Sequence, residues 1–410
     1  MKIEDIQRAT LAWLEANQEK DDGEECVRGE FPMTLSCPEA QTDYNFLTGY
    51  ALFHLAVCET LLINRLSADA LRTINTILKR ASDVLVAYQT TRGSTNWYHG
   101  RLSGDHLPPN FNWPQNRRLS VCDDLDDTAI SAILNSLRPS FIMRRTLAPR
   151  IFTDWLYDPE RDKLRTKALR RLKLSGVPAK VYMTWVIEPG GESNETMQDS
   201  LKVPQENSVE LVTAANILTA IKRICDAPGS TYGPPDELAG FAETQRFVNQ
   251  LTSLALDKLL VEDDPAFLEF CAPYYPRVPF APLAFLLRAH ALSNHSLLWN
   301  ETLEKIATAV RLVDPARYAR ALPYADYAAR AHWLNAAGWC DWIGLLPRSW
   351  LAERAIHELE GLVRNDFNLA TGSWPDFIFF LAAHIGDYGG VAYSNCMMVE
   401  TMSLLVAAQK

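Results

Sequence analysis

Four aspartates stand close together in the segment CDDLDDTAISAIL, residues 122–134. They are Asp123, Asp124, Asp126 and Asp127, and the apolar run behind them predicts a helix. One or two acids at the start of a helix act as caps, because they favour the free N–H groups and the helix dipole. Four carboxylates packed so closely repel one another, and capping alone does not account for them. We therefore expect this cluster to carry chemistry.

Two kinds of chemistry use such a cluster. The DDxxD spacing at 123–127 can hold Mg²⁺ through carboxylate oxygens, and the metal then binds a diphosphate. Alternatively, a neighbouring carboxylate and desolvation together raise the pKa of one carboxyl group, which stays protonated near pH 7 and serves as an acid. Ionisation-type terpene synthases carry a second metal motif further along the chain, and this sequence has none. The second chemistry is therefore favoured.

Composition excludes several other classes. A chain of 410 residues with 48% hydrophobic and 22% charged residues is globular, and a net charge of −10 argues against a nucleic-acid partner. No stretch is long and apolar enough to span a membrane, and the charged amphipathic N-terminus is not a signal peptide. Eight scattered cysteines without CxxC indicate a reduced, cytoplasmic protein. The sequence has no HExxH, GxGxxG, phosphate-binding loop or GxSxG motif, so the usual signals of zinc, nucleotide or hydrolase sites are missing.

The hydrophobic periodicity is helical nearly throughout and predicts an all-α protein. No run alternates as a strand would. The predicted helices cover residues 4–16, 44–63, 67–89, 127–137, 208–225, 243–260, 279–293, 296–312, 323–336, 348–364 and 392–408. Two long loops, 92–123 and 186–207, lie between helices, and neither has the composition of a domain linker. We expect one domain, 1–410, built of packed helical hairpins.

Residues 124–129, DLDDTA, resemble the DxDDTA motif of class II terpene cyclases, the family that contains squalene–hopene cyclase and copalyl diphosphate synthases. Further similar segments are FNWPQ at 111–115, ENSVELVTAANIL at 206–218, and GSWPDFIFF at 372–380 followed by YGG at 388–390. Together these segments extend, with gaps between them, over roughly residues 90–400. Members of the family usually have two α-barrel domains, and 410 residues leave room for one. The chain thus resembles a single-domain, meroterpenoid-forming member.

The resemblance implies a single (α/α) barrel of antiparallel helical hairpins around an apolar cavity. It also implies an isomerase that starts cyclisation by protonating the terminal alkene of a linear polyprenyl substrate. In the single-domain form this is a prenylated aromatic acid, such as a geranylgeranyl hydroxybenzoate. By the motif match, Asp126 is the proton donor, and Asp124 and Asp127 tune or orient it.

Substrate-contacting residues are expected on helices and loops around the acid. Asn216 shares a helix face with Val209 and Val212, so we expect it to be buried, either as the partner of Asp126 or in a structural bond between helices. Glu210 we interpret as the last residue of an Asn207-x-x-Glu210 capping box, which leaves it outside the site. Aromatic faces can stabilise a cation without trapping it, although ordinary packing also explains many such side chains. The aromatic candidates are Trp97, Trp113, Trp339, Trp342, Trp374, Phe379, Phe380 and Tyr388.

The expected partner is therefore a small polyprenyl substrate, with no nucleic acid and no obligatory protein partner. No cofactor is expected, and Mg²⁺ only if the substrate carries a diphosphate. The apolar, proline-broken segment 270–287 fits either an entrance for substrate from a membrane surface or an ordinary buried helical hairpin.

Three other functions stay open at this stage. The first is a Mg²⁺-dependent, ionisation-type prenyl diphosphate synthase or cyclase that uses the DDxxD cluster. The second is an (α/α)-barrel glycosidase, although clustered acids serve poorly where two carboxylates must flank one bond. The third is a non-catalytic barrel that binds a prenylated lipid unchanged.

Overall fold

The computed structural model describes most of the chain. The described residues are 2–20, 28–31, 34–35, 46–89, 94–95, 125–160, 170, 180–184, 209–272, 275–318, 325–376, 378–382 and 386–406. Within them the protein is mainly helical, as the periodicity predicts.

The described residues form fourteen α-helices of four or more residues, labelled in chain order. They are α1 (Ile3–Asn17), α2 (Phe46–Thr60), α3 (Ala68–Arg80), α4 (Val84–Tyr88), α5 (Leu125–Leu137), α6 (Arg150–Thr153), α7 (Leu211–Cys225), α8 (Phe241–Val261), α9 (Pro265–Cys271), α10 (Phe280–Leu292), α11 (Asn300–Leu312), α12 (Ala325–Trp342), α13 (Ile356–Asn365) and α14 (Val391–Leu405). One helical turn, Arg348–Trp350, and a π-helical stretch, Leu351–Ala355, lead into α13.

Six of these helices contact one another in a closed sequence. α2 packs against α5, α5 against α7, α7 against α10, α10 against α12, α12 against α14, and α14 returns to α2. Other helices lie against members of this ring: α1 against α14, α3 against α2, α8 against α7, α11 and α13 against α12. We call α2, α5, α7, α10, α12 and α14 the inner ring.

The sequences of the two sets of helices differ as their positions require. In the inner ring, residues 125–134, 211–221, 280–292 and 392–405 are buried without interruption. A helix that is buried on every side must lie inside the protein. By contrast, α3 buries one face through Ala70, Ile74, Ile77 and Leu78 and exposes the other. The helices of the inner ring therefore lie inside the protein, with amphipathic helices packed against them.

A small sheet departs from the all-helical expectation. Strands β1 (Thr34–Leu35), β2 (Ile378–Ala382) and β3 (Gly386–Gly389) pair antiparallel in the order β1–β3–β2. The short segments do not alternate between apolar and polar residues, so the sequence pattern gave no strand signal. Their pairing joins residues about 350 positions apart, which is a tertiary effect.

Several helix boundaries also differ from those predicted: α12 runs to Trp342 rather than to residue 336, and α6 and α9 were not predicted. The run predicted at 67–89 divides into α3 and α4, because residues 81–83 form a turn. The helix predicted from 208 begins at Leu211, with Glu210 as its N-cap. Among the described residues, no helix combines the length and apolarity that crossing a membrane requires.

We predict that Gly338→Ala destabilises the fold. A Cβ at Gly338 of α12 would lie 2.7 Å from the Cβ of Leu404 of α14, so the two inner helices would have to move apart. Overpacking of this kind lowers the free energy of unfolding by about 1–3 kcal/mol, although alanine is the better helix former. Urea unfolding measures the change.

Gly361→Ala in α13 is the matched control. There the nearest atom to an added Cβ is the end of the flexible Arg330 side chain, at 2.9 Å. The control should be neutral or stabilising by up to about 1 kcal/mol. Equal effects of the two substitutions would contradict a close contact between α12 and α14.

Candidate active site

Asp126 lies in the first turn of α5 and is almost completely buried. Two contacts fix the start of this helix. The backbone N–H of Leu125 donates to the carbonyl of Thr184 at 2.9 Å, and the backbone N–H of Thr95 donates to Oγ1 of Thr128 at 2.9 Å. The Asp126 side chain is thereby held among the inner-ring helices.

Three donors from different parts of the ring converge on the Asp126 carboxyl group. Nδ2 of Asn216, on α7, donates to Oδ1 at 2.9 Å, and the hydroxyl of Tyr50, on α2, donates to Oδ2 at 2.8 Å. The hydroxyl of Tyr275, shortly before α10, also donates to Oδ2. Asn216 lies 3.0 Å from that tyrosine hydroxyl as well. The predicted burial of Asn216 and its contact with Asp126 are confirmed.

The environment of Asp126 shifts the pKa of its carboxyl group upward. Burial raises the pKa of Asp126, while the hydrogen bonds from Tyr275, Asn216 and Tyr50 oppose that rise. The sequence suggested that a neighbouring aspartate would raise this pKa. The structure instead couples Asp126 to Glu210, whose pKa is raised to about 8, first by burial and then by the charge of Asp126. The two carboxyl groups therefore disfavour being ionised together.

Glu210 belongs to the site and caps α7, but as the N-cap itself rather than as the last residue of a capping box that begins at Asn207, which lies outside the described residues. Its carboxylate accepts from the backbone N–H of Val212 at 3.1 Å and from that of Thr213. As the N-cap of α7 it lies at the same end of the ring as Asp126, which is in the first turn of α5. Because the capping pattern explained Glu210 by itself, the sequence gave no signal for its interaction with Asp126.

Aromatic rings surround the donors to Asp126. Tyr50 and Tyr275 meet edge to face at 6.2 Å between centroids, and Tyr275 meets Phe285 of α10 in the same way at 4.7 Å. None of these three was predicted. The signal for them was weak, since each stands in a long apolar segment where packing explains an aromatic residue equally well.

Two of the predicted aromatic residues make contacts other than with Asp126. Trp342 is half-buried at the end of α12, with the guanidinium of Arg65 4.6 Å above its ring. Trp374 donates through Nε1 to Thr10 of α1 at 3.2 Å and stacks on Tyr327 at 6.0 Å. The structure therefore places Trp342 and Trp374 in contacts with residues other than Asp126.

The remaining predicted residues divide into two groups. Phe379 and Phe380 lie on β2 and Tyr388 on β3, where Phe380 and Tyr388 are backbone partners. Asp127 is fully buried next to Asp126 in the first turn of α5. Asp124, Trp97 and Trp113 lie outside the described residues.

A second buried polar cluster lies in the inner ring around Glu400 of α14. One oxygen, Oε2, is 2.8 Å from Nδ1 of His54 and accepts from Nη1 of Arg288 at 3.3 Å. The other, Oε1, accepts from Nε1 of Trp339 at 2.8 Å and from Nδ2 of Asn335 at 3.2 Å. Burial alone would raise the pKa of Glu400, but His54 and Arg288 outweigh it and lower the pKa to about 2. Glu400 is therefore ionised.

Phe285 joins the two clusters. Its ring contacts Tyr275 on the Asp126 side, and on the other side the Arg288 guanidinium lies 4.5 Å from the ring centroid. His54 lies 6.3 Å from the same ring. All six helices of the inner ring thus contribute a side chain to one cluster or the other.

In the part of the chain that the structure describes, no three His, Cys, Asp or Glu side chains come together as metal ligands would. Asp123 and Asp124 of the DDxxD pattern fall outside that part.

Comparison with known proteins supports the fold alone. No family model and no curated protein matches the chain. A crystal structure of a protein from Actinoplanes is similar over 100% of both chains, with a TM-score of 0.54 and 12% sequence identity. At that identity the similarity concerns the arrangement of elements, and the function has to be argued from the site.

We predict that Glu210→Gln weakens a pH dependence of stability. The pKa of Glu210 is about 8 in the folded protein against an ordinary 4.5, so the folded state binds more protons between these values. The stabilisation is complete below about pH 4.5 and is lost as the pH rises to about 8. The slope should approach about −1.4 kcal/mol per pH unit. Urea unfolding at several pH values measures it.

Glu301→Gln serves as the control, because Glu301 is an exposed acid in the first turn of α11. This control should keep the wild-type slope, and Glu210→Gln should have a shallower one. Identical slopes in all three proteins would show that Glu210 does not hold a proton in the folded state.

Proposed function

We propose that this chain is a class II terpene cyclase in which Asp126 protonates the terminal alkene of a linear polyprenyl substrate. The observation that carries the proposal is the Asp126 carboxyl group itself. It is buried among the inner helices, its pKa is raised by burial, and Asn216, Tyr50 and Tyr275 donate to its oxygens. The DLDDTA motif at 124–129 supports the same assignment.

The surroundings of Asp126 suit the two requirements of alkene protonation. An alkene is a very weak base, so the acid must keep its proton until the substrate arrives, and burial favours this. When the proton leaves, negative charge develops on the Asp126 oxygens. The three donors are already directed at those oxygens and would stabilise the charge without reorganisation.

The fold proposed is a single (α/α) barrel of antiparallel helical hairpins. The closed contact sequence of the inner ring supports it, as do the amphipathic helices packed outside that ring. A barrel interior lined by buried apolar side chains excludes the water that would otherwise quench a carbocation. Phe285, Tyr50 and Tyr275 would present aromatic faces or edges near the acid.

The substrate class follows from the resemblance and from the metal-independent chemistry. A prenylated aromatic acid, such as a geranylgeranyl hydroxybenzoate, has a terminal alkene for Asp126 and needs no diphosphate to ionise. Mg²⁺ enters only for a substrate that carries a diphosphate.

Asp126→Asn is predicted to abolish cyclisation. An amide keeps the size and approximate shape of the side chain but cannot donate a proton of useful strength. Because the acid starts the whole reaction, the loss should reach or exceed about 10⁴-fold, the upper end for general acid catalysis. Product yield from farnesyl and geranylgeranyl hydroxybenzoates is measured beside a thermal melt.

Tyr50→Phe is the matched comparison, since it removes one of the donors to Asp126 and keeps the ring. Its loss should be smaller, about 10–100-fold, because a single hydrogen bond to a developing charge contributes about 1.5–3 kcal/mol. An Asp126→Asn protein that melts normally and cyclises at the wild-type rate would refute the assignment of the acid. Substrate bound but unchanged by the wild type would favour the lipid-binding alternative.

Cyclisation of the hydroxybenzoate substrates is predicted to continue in excess EDTA. The proposed acid needs no metal, and these substrates have no diphosphate for a metal to bind. Product is measured with EDTA and again after Mg²⁺ is added back. Complete loss with EDTA and recovery with Mg²⁺ would move the aspartate cluster to a metal-binding role.

A further inference from the structure

The Glu400 cluster contains a histidine whose second ring nitrogen is unused. Nε2 of His54 is buried and has no hydrogen-bond partner, and His54 is only 2% exposed. Buried polar atoms are nearly always paired, so an unpaired one inside the ring calls for an explanation.

The charge on Glu400 decides which nitrogen of His54 carries the hydrogen. Nδ1 lies 2.8 Å from Oε2 of Glu400 and 2.9 Å from Nη1 of Arg288, and one ring nitrogen cannot both donate to the first and accept from the second. Because Glu400 is ionised, Nδ1 carries the hydrogen and donates it to the carboxylate. Arg288 then donates to the same carboxylate oxygen.

Nε2 of His54 consequently carries a buried lone pair that no hydrogen-bond donor uses. Burial is the first cause that lowers the pKa of His54, so the ring is neutral at pH 7. The pair of Arg288 and Glu400 is then neutral in sum, and the cluster as a whole offers a base without a net charge.

The position of this base relative to the acid is set by two helices. Tyr50, which donates to Asp126, and His54 are four residues apart on α2, or about 6 Å along the helix axis. On α10, Phe285 and Arg288 are three residues apart. The acid and the lone pair are therefore about one helical turn apart along the ring, with the Phe285 ring between the two clusters.

We propose that His54 is the base that ends the cyclisation, a role that rests on the proposed function. Nε2 takes a proton from the carbon next to the final cationic centre. The C–H electron pair becomes the new C=C bond and neutralises the cation. Asp126 has lost one proton and His54 has gained one, so the substrate is isomerised, and exchange with water restores both groups.

The surroundings suit His54 to this role better than the other groups near it. Glu400, at 2.8 Å, would stabilise the imidazolium that forms. Arg288 and Trp339 have no lone pair to offer. His332, also buried in the inner ring, donates Nδ1–H to the neutral carbonyl of Ala328 at 3.0 Å, a contact that stabilises an imidazolium less than the ionised Glu400 does beside His54.

The experiment replaces His54 with glutamine and follows the products. The glutamine side chain is similar in length to histidine and places its amide near the position of Nε2, but the amide is not a useful base. Farnesyl and geranylgeranyl hydroxybenzoates are incubated with wild type, His54→Gln and His332→Gln, and the products are separated by mass spectrometry. His332→Gln is the control and should keep the wild-type product pattern.

In His54→Gln, substrate consumption should stay within about tenfold of wild type, since Asp126 still starts the reaction. The wild-type alkene should fall at least about tenfold per substrate consumed, with alcohols from water capture or isomeric alkenes in its place. An unchanged product pattern in an active His54→Gln protein would refute His54 as the base and leave the proposed cyclase function standing. No cyclised product from the wild type would overturn the proposed function, and the base with it.

A second measurement needs no substrate and keeps the proposal testable if the variant does not fold. The wild type is labelled with ¹⁵N-histidine, and the ring nitrogens are observed by NMR at pH 7. The expected state of His54 has hydrogen on Nδ1 and none on Nε2, with the resonance assigned by its loss in His54→Gln or by its shift in Glu400→Gln. A hydrogen on Nε2 would overturn the proposal, because that nitrogen could not accept a proton.

Discussion

A carboxyl group can protonate a carbon–carbon double bond only if two opposing conditions meet at one place. The carboxyl group must be kept from water so that it retains its proton. Hydrogen-bond donors must also be in place to stabilise the negative charge that forms when the proton leaves. In this protein burial provides the first condition at Asp126, and Asn216, Tyr50 and Tyr275 provide the second. Without the buried interior, the same donors would simply give an ordinary ionised aspartate.

The helices of the inner ring provide the burial of Asp126. These helices are buried on all sides, so they cannot be stabilised by a polar outer face and depend on the amphipathic helices packed around them. Gly338, which lets α12 approach α14 closely, shows how tightly the ring closes. Any loosening of the ring would admit water to Asp126 and, in the proposed reaction, to the cationic intermediate.

Polar groups inside such a ring are stable only when they are paired. Glu400 receives four hydrogen-bond donors, and this compensates the large desolvation penalty of an ionised carboxylate. At Asp126 the same penalty instead raises the pKa of the carboxyl group. The two carboxyl groups thus meet one constraint in opposite ways, and in the proposed reaction Asp126 is the acid while Glu400 supports the base His54.

Much of this could be predicted from the sequence. Helical periodicity predicted nearly every helix, and the DLDDTA motif together with a buried-face position led to Asp126 and Asn216. Tyr50, Tyr275, His54 and Glu400 could not be predicted, because each is a lone polar or aromatic residue in an apolar helix or loop. Only the closing of the ring brings them together, over separations as large as 346 residues.

The predicted aromatic residues show a second limit of prediction from the sequence. Tryptophan fits wherever a large apolar space must be filled, so its presence near a motif in sequence says little about its place in the fold. Trp374 packs against α1, and Trp339 supports Glu400 rather than Asp126. Glu210 was assigned a single role because its capping signature was complete by itself.

The central claim is that a proton from Asp126 enters the product. Cyclisation in D₂O tests this directly, since the Asp126 proton exchanges with solvent before each turnover. The account predicts one deuterium on the ring carbon beside the gem-dimethyl carbon, where the terminal alkene was protonated, and no labelled product from Asp126→Asn. A cyclised product without deuterium at that carbon would contradict protonation as the first step.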